Sequence, residues 1–296
     1  MNVLIIGSSG FIGNNLYESL GKDHYVFGVD LISIGHKNFK KIKHIEDLEN
    51  LENFKYFDFI INCSGSTDVK LSNSHPYNDF EKNTVSIYKI LSIIKKLNNK
   101  ICYINISSGA IYGNANKGTV NENDISFPVS SYGFNKKISE EICEHFSTTH
   151  NINSYSLRIF SAYGPGLKRQ LFWDLYKKSI ANKEVELFGA KTDFRDFIYI
   201  DDICKFVYLL LQNKHKGHLI FNVSSGIPTS IEQAASTFFK LLDTGISYRF
   251  NGESFQGYPK GICGNNEKAK SVGFIPKFNL EEGLIETIKW MKTQKK

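Results

Sequence analysis

The chain has 296 residues, of which 41% are apolar and 22% charged; 36 Lys and Arg against 30 Asp and Glu give a formal net charge of +6. This length and composition allow a large buried core and exclude wholesale disorder, a collagen-like fibre and a small disulfide-stabilised scaffold. No basic run or basic-aromatic stripe indicates nucleic-acid binding, and no apolar run approaches the length of a membrane helix. We therefore predict neither a nucleic-acid partner nor a membrane segment.

The cysteines give an indication of the compartment. They are odd in number and far apart, and no pair has the C-x-x-C spacing of a zinc or redox site. An apolar strand begins almost at the N-terminus, which argues against a signal peptide. We therefore predict no metal, a cytoplasmic location and reduced thiols at Cys63, Cys102, Cys143, Cys204 and Cys263.

Short apolar runs alternate with longer amphipathic segments along most of the chain. This pattern predicts an α/β fold, a doubly wound parallel sheet of the Rossmann type with helices on both faces. The strands lack alternating polar residues, as expected where both faces are covered. In chain order, the predicted elements are strand Val3–Ile6, helix Phe11–Leu20, strands Val26–Val29 and Phe59–Asn62, helix Asp79–Leu97, strand Ile101–Ile106, helix Tyr132–His150, and strands Ser154–Ile159 and Leu219–Val223.

The later part of the chain has a different sequence pattern, in which turns that contain glycine and proline recur, such as Gly226–Pro228 and Gly273–Pro276. These turns predict a smaller, mostly C-terminal α/β domain laid over the sheet. A strand at Phe197–Ile200 and a helix from Asp201 return the chain to the first domain. We predict a cofactor-binding domain of residues 1–162 plus about 195–224, and a substrate domain of about 163–194 plus 225–296.

A glycine-rich turn joins the first strand to the first helix and reads Gly7-Ser8-Ser9-Gly10-Phe11-Ile12-Gly13. Glycines at this spacing let the backbone approach a pyrophosphate, and the helix N-terminus offers free N–H groups and a positive dipole end. In this context between a strand and a helix, the turn predicts a dinucleotide site. The expected cofactor contacts are Gly7, Ser9, Gly10, Phe11, Ile12 and Gly13.

Asp30 ends the second predicted strand, 23 residues after Gly7. A carboxylate at this position accepts hydrogen bonds from the hydroxyl groups of the adenosine ribose, and it repels a 2′-phosphate. Asp30 therefore favours NAD over NADP as the cofactor.

Three further residues suit proton transfer. Ser108 follows the strand Ile101–Ile106, and side chains at such strand ends face the ligand crevice of a doubly wound sheet. Tyr132 and Lys136 are four residues apart and share one face of a helix. A nearby ammonium lowers the pKa of a phenol, so Tyr132 could exchange a proton with a substrate hydroxyl near neutral pH while Ser108 bonds the same oxygen.

Together and in this order, the motifs resemble the extended short-chain dehydrogenase/reductases, specifically the NAD-dependent epimerase/dehydratase family, whose members act largely on nucleotide sugars. Gly7–Gly13 is similar to the family's phosphate loop, and Ser108, Tyr132 and Lys136 to its catalytic triad. The resemblance implies that Tyr132 and Lys136 also contact NAD. It further implies a homodimer formed through the helix that carries Tyr132 and the helix Asp79–Leu97.

The resemblance extends to residues outside the triad. Asn83 looks like the Asn that begins a core helix and supports the active site. Arg195, in Arg195-Asp196-Phe197-Ile198-Tyr199-Ile200-Asp201-Asp202, matches an arginine that contacts the substrate diphosphate. Ser161 stands where many members carry a phosphate-binding Asn. A second diphosphate-binding Arg is expected near Phe255–Gly257, where the sequence has none and Lys260 is the nearest cation.

The residues after Ser108 bear on the reaction. Dehydratases of the family place Asp-Glu there, whereas this chain has Gly109 and Ala110, which cannot transfer protons. We therefore predict no dehydratase activity. A UDP-hexose 4-epimerase-like activity and an NAD(P)H-dependent 4-keto-6-deoxy nucleotide-sugar reductase both remain open, and Asp30 favours the epimerase. A non-catalytic NAD-binding regulator is a third alternative, although such proteins generally lose the Tyr or the Lys that this chain keeps.

Overall fold

The structure, a computed structural model, describes residues 1–114, 118–213, 215–253 and 261–294. The strands are β1 (Asn2–Ile6), β2 (Tyr25–Asp30), β3 (Phe39–Lys41), β4 (Phe59–Asn62), β5 (Cys102–Ser108), β6 (Thr119–Val120), β7 (Ser154–Ile159), β8 (Ser161–Tyr163), β9 (Glu184–Leu187), β10 (Phe194–Tyr199), β11 (His218–Val223), β12 (Pro228–Ser230), β13 (Ser247–Phe250) and β14 (Gly261–Gly264). The α-helices are α1 (Phe11–Leu20), α2 (Val69–Ser74), α3 (Pro76–Phe80), α4 (Ser86–Leu97), α5 (Ser131–His150), α6 (Gln170–Ala181), α7 (Ile200–Gln212), α8 (Ile231–Leu242), α9 (Glu267–Ser271) and α10 (Leu280–Thr293).

A seven-stranded sheet in the order β11-β7-β5-β4-β1-β2-β3 forms the centre of the fold. Its strand pairs are parallel. Buried aliphatic side chains fill both faces, with Val3 and Ile5 in one core cluster and Leu4 and Ile6 in another. Burial on both faces explains why the strands read as continuous apolar runs. The predicted doubly wound α/β fold is confirmed.

Several predicted bounds differ from the observed ones. The helix predicted over Asp79–Leu97 begins at Pro76, because the missing N–H of a proline costs nothing in a first turn. The strand predicted over Phe197–Ile200 is β10, which begins at Phe194 and ends before Ile200. Its first residues are extended because they pair with β12 and β14, a contact that local sequence does not reveal. Strand β3 was not predicted, since it is short and half exposed at the sheet edge.

A second sheet, in the order β12-β10-β14-β6 with β8 also paired to β10, lies beyond the carboxyl end of β7. The buried carboxylate of Asp196 holds it together. It accepts hydrogen bonds from the N–H groups of Ser225, Gly226 and Gly264 at 2.7–3.1 Å. Strand β10 is therefore fixed on both sides, and with it the neighbouring Arg195.

A buried ion pair lies below the carboxyl edge of the seven-stranded sheet. The Arg158 guanidinium on β7 donates to both Glu140 oxygens on α5, at 2.8 Å from Nη2 and 3.1 Å from Nε, and both side chains are about 5% exposed. Ser107 Oγ donates to the same carboxylate. Arg158 Nη1 continues to Tyr112 Oη at 2.6 Å. These bonds hold both sides of the turn that begins at Ser108.

We expect Arg158→Met to lower the free energy of unfolding by about 3–5 kcal/mol, because it leaves the Glu140 carboxylate buried without the guanidinium that pairs with it. Urea denaturation followed by circular dichroism measures the change. Lys270→Met is the matched control: it removes one partner of the exposed Lys270–Glu267 pair, whose loss should cost at most about 1 kcal/mol. Equal losses in the two variants would contradict the structural role of the Arg158–Glu140 pair.

Candidate active site

The glycine turn after β1 is shaped by close backbone contacts. Gly7 has φ +78°, and a Cβ there would lie 2.6 Å from the backbone nitrogen of Ser64. A Cβ on Gly13 would collide with the Gly7 carbonyl oxygen. Gly10 is the N-cap of α1 and provides no side-chain cap for the helix. Backbone N–H groups at this helix end are therefore available to an anionic ligand.

Asp30 lies at the carboxyl end of β2, next to this turn. Its Oδ2 accepts the Ser9 N–H at 2.9 Å, and its Oδ1 accepts the Leu31 N–H at 2.6 Å. An ionised carboxylate has about four acceptor positions, so capacity remains for two ribose hydroxyls. These features fit an NAD dinucleotide. The N-terminus of α1 has no side-chain cap, the glycines let a ligand come close to the backbone, and the Asp30 carboxylate lies beside them.

Ser108, Tyr132 and Lys136 come together at the carboxyl end of β5. Tyr132 and Lys136 lie on the first turns of α5, and the Lys136 Nζ is 5.9 Å from the centre of the Tyr132 ring. Lys136 Nζ also donates to the Ile106 carbonyl at 2.8 Å. Burial raises the pKa of Tyr132, while a hydrogen bond with the Ser108 side chain acts to lower it. The three residues can thus hold and move a proton at the Tyr132 oxygen.

The Lys136 ammonium is buried in the site. Burial lowers the pKa of Lys136 to about 8, and the negative charges of Asp79 and Glu140 act to raise it. Lys136 is therefore mostly protonated at neutral pH and loses its proton at a pH only slightly higher. A charge so placed can stabilise a phenolate at Tyr132.

Asn83 lies on a π-helical segment, Glu81–Val85, between α3 and α4. Its Nδ2 donates to the Ser66 carbonyl and to Asp79 Oδ1, both at 3.0 Å, and its Oδ1 is buried with no partner among the described residues. Segments of π-helix often occur at functional sites. The unpartnered amide oxygen is consistent with a role beside a bound ligand.

The residues expected to bind substrate lie around the second sheet. Ser161 begins β8, two residues beyond Ile159, which pairs with Ser108 in the main sheet. Arg195 lies on β10, and its Nη1 donates to the Phe194 carbonyl at 2.7 Å. Lys260 and the segment 255–257, where a second cation was expected, lie outside the described residues.

Sequence reasoning missed two residues of the site. Arg169, just before α6, contributes a positive charge that acts to lower the pKa of Tyr132. Asp79 on α3 is 3% exposed and bonds both Asn83 and Asn135. The four-residue spacing of Asp79 and Asn83 was the available signal for Asp79. No comparable signal exists for Arg169, whose proximity to Tyr132 depends on tertiary structure.

None of the helices in the described ranges is long and apolar enough to cross a membrane. Within those ranges, no group of three or more His, Cys, Asp and Glu side chains could hold a metal ion.

The fold and site define a dinucleotide-dependent enzyme. Comparison with known families identifies one that matches most of the chain: residues 3–224 match the NAD dependent epimerase/dehydratase family. The chain belongs to this family. The predicted resemblance, the enzyme class and NAD as the cofactor are thereby confirmed.

Individual relatives cover nearly the whole chain. A Methanocaldococcus jannaschii protein provisionally named a UDP-glucose 4-epimerase is 28% identical, over 98% of each chain. The solved structure of Bacillus cereus UDP-glucuronic acid 4-epimerase, in complex with UDP-glucuronic acid and NAD, is 26% identical and covers 99% of each chain with a TM-score of 0.90. Thermotoga maritima UDP-glucose 4-epimerase with UDP-glucose is 25% identical, with the same coverage and TM-score.

We expect Gly13→Ala to weaken NAD binding about tenfold or more, because the added Cβ pushes α1 away from the Gly7 carbonyl. Calorimetric titration of NAD into protein freed of nucleotide measures the change. Gly118→Ala is the control, since a Cβ there meets nothing within 4 Å. Equal NAD affinities in the two variants would contradict the assignment of the turn.

Proposed function

We propose that this protein is an NAD-dependent nucleotide-sugar epimerase of the UDP-hexose 4-epimerase type. The observation that carries the proposal is the position of the Lys136 ammonium, which lies 5.9 Å from the Tyr132 ring and bonds the Ile106 carbonyl near Ser108, at the sheet edge that also holds the glycine turn and Asp30. The relatives named above are named as epimerases of UDP-glucose or UDP-glucuronic acid, and two of their structures contain these UDP-sugars, which supports a UDP-sugar substrate.

Tyr132 is the proposed acid and base. Its oxygen takes the proton of the sugar C4 hydroxyl as that carbon is oxidised, and it returns a proton when the opposite configuration forms. Ser108 Oγ bonds the same substrate oxygen, and the Lys136 ammonium stabilises the Tyr132 phenolate, which is present before the proton is taken and again after it is returned. NAD, when bound, supplies the hydride acceptor and donor. Gly7, Ser9, Gly10, Phe11, Ile12, Gly13, Asp30 and Asn83 are proposed to hold it.

The absence of acids next to Ser108 restricts the chemistry. Gly109 and Ala110 occupy the turn after Ser108, and a Cβ on Gly109 would come within 3.2 Å of the Phe160 ring. Neither residue can remove a proton from C5 or protonate a leaving hydroxyl, so water elimination has no acid–base partner there. Arg195 and Ser161 are proposed to bind the diphosphate of the substrate, in a unit of residues about 163–194 and 225–296.

We expect the purified protein to interconvert a UDP-hexose and its C4 epimer without added cofactor, as followed by proton NMR. Tyr132→Phe should lower the rate by about 100-fold or more, because the C4 proton loses its acceptor, while NAD stays bound. A 4-keto-6-deoxy sugar reductase would instead need added NADPH or NADH for every turnover. Undiminished turnover in Tyr132→Phe would remove Tyr132 from the mechanism.

A homodimer in the cytoplasm is also proposed. Helices α3, α4 and α5 carry exposed aromatic side chains, with Tyr77, Tyr88 and Phe134 exposed by 68%, 50% and 54%. Such exposed apolar surface is typical of an interaction site.

The described cysteines are free thiols, which suits a reducing compartment.

We expect light scattering to give a dimer mass for the wild type and a monomer mass for Tyr88→Asp, because the carboxylate would be buried unpaired in the interface. Tyr56→Asp is the control, as Tyr56 is 62% exposed on a short turn away from these helices. A monomeric wild type, or a dimeric Tyr88→Asp, would contradict the proposed interface.

A further inference from the structure

The buried carboxylate of Asp79 lies beside the catalytic helix α5 and has no part in the mechanism given above. Its Oδ1 accepts the Asn83 Nδ2 at 3.0 Å, and its Oδ2 accepts the Asn135 Nδ2 at 2.7 Å. Asn135 precedes Lys136 directly in sequence and is 3% exposed. One carboxylate therefore joins the π-helical segment of Asn83 to the turn of α5 that carries Lys136.

Other polar contacts make the same connection between α5 and the helices beside it. The Tyr132 N–H donates to Ser72 Oγ on α2 at 3.1 Å. Thr84 Oγ1 donates to the Asn135 carbonyl at 3.3 Å. Among these contacts, only Asp79 brings a charge. The amides that donate to it are neutral, so they stabilise the carboxylate without cancelling its charge.

The charged and titratable groups around the Tyr–Lys pair come from several elements. The carboxylates of Asp79 on α3 and Glu140 on α5 act to raise the pKa of Lys136. The titratable groups near it also include the thiols of Cys63, after β4, and Cys143 on α5, whose own pKa is raised by burial. Tyr132 faces Arg169 and Asp79. The Glu140 charge is already paired with Arg158 at 2.8 Å. Asp79 is held by neutral amides, so its charge is the one that can act on Lys136.

We propose that Asp79 is a positioning residue: its carboxylate fixes the catalytic turn of α5 against α3 and supplies the counter-charge of the Lys136 ammonium. The role in turnover rests on the proposed epimerase function. The charge effect on Tyr132 and Lys136 does not depend on the substrate, and it can be measured by titration alone.

Asp79→Asn removes one negative charge at nearly constant volume. Loss of a negative charge favours deprotonation of both neighbours, so the pKa of Tyr132 and that of Lys136 should each fall by about one unit. Tyrosinate absorbance of the NAD-loaded protein, minus that of the same protein carrying Tyr132→Phe, isolates the Tyr132 titration. Where turnover is measurable, the whole pH–rate profile should move to lower pH, whereas a merely structural role would lower rates equally at all pH values.

Exchanging the side chains of Asp79 and Asn135 should restore the Tyr132 titration. Asp79→Asn combined with Asn135→Asp keeps one carboxylate in the cluster and reverses the direction of the same hydrogen bond. The Tyr132 titration should return towards the wild-type position. If Asp79→Asn alone does not fold, the exchanged pair decides the matter, because a Tyr132 titration well below the wild-type position would overturn the proposal.

Asp202→Asn is the matched control. Asp202 is 2% exposed and accepts the N–H groups of Lys277 and Phe278 at 2.9 and 3.2 Å. Its loss should lower stability and leave the Tyr132 titration unchanged. The proposal is overturned if Asp79→Asn titrates like Asp202→Asn, or if the exchanged pair titrates like Asp79→Asn. Failure to find epimerase activity would affect the proposed function alone, because the titrations need no substrate.

Discussion

The hydrogen bond from the Lys136 ammonium to the Ile106 carbonyl joins α5 to β5, and the candidate active site depends on this attachment. It places the first turn of α5 against the strand that ends at Ser108, which brings Tyr132 within reach of the serine. The attachment also buries a charge, which is unfavourable unless opposite charges and hydrogen-bond acceptors surround it. Much of the polar interior near the site can be understood as meeting that requirement.

Two buried carboxylates, Glu140 and Asp79, provide negative charge near the Lys136 ammonium from different sides. Glu140, one turn further along α5, is itself held by Arg158 on β7, so it contributes mainly to the attachment of helix to sheet. Asp79 comes from outside the sheet and is held by neutral amides, so it contributes mainly charge. The helix that carries the proposed acid–base residue is thus fixed on both flanks by side chains that also set its electrostatics.

The main sheet and the central motifs could be predicted from sequence because they depend on local patterns. The bounds of β4, β7 and α1 follow from continuous apolar runs and from glycines next to a strand. The glycine turn, Asp30 and the Ser108–Tyr132–Lys136 set are each defined by short spacings. Their convergence at one edge follows from the parallel order of the sheet.

The remainder depends on contacts between distant segments. The second sheet pairs β10 with β8, β12 and β14, so the early start of β10 at Phe194 could not be inferred from its own residues. The break of the long helix into α3, a π-helical segment and α4 has no local sequence signature. The importance of Asp79 and Arg169 for Tyr132 depends on where the tertiary fold brings their charges.

The central claim is that hydride leaves and returns to the same sugar carbon within one protein. The most direct test is a UDP-hexose deuterated at C4, incubated in ordinary water without added cofactor. The account predicts a C4-epimeric product that retains deuterium at C4, because the label is carried on the retained cofactor and handed back. A product that carries hydrogen at C4, or an inversion elsewhere with the C4 label untouched, would contradict it.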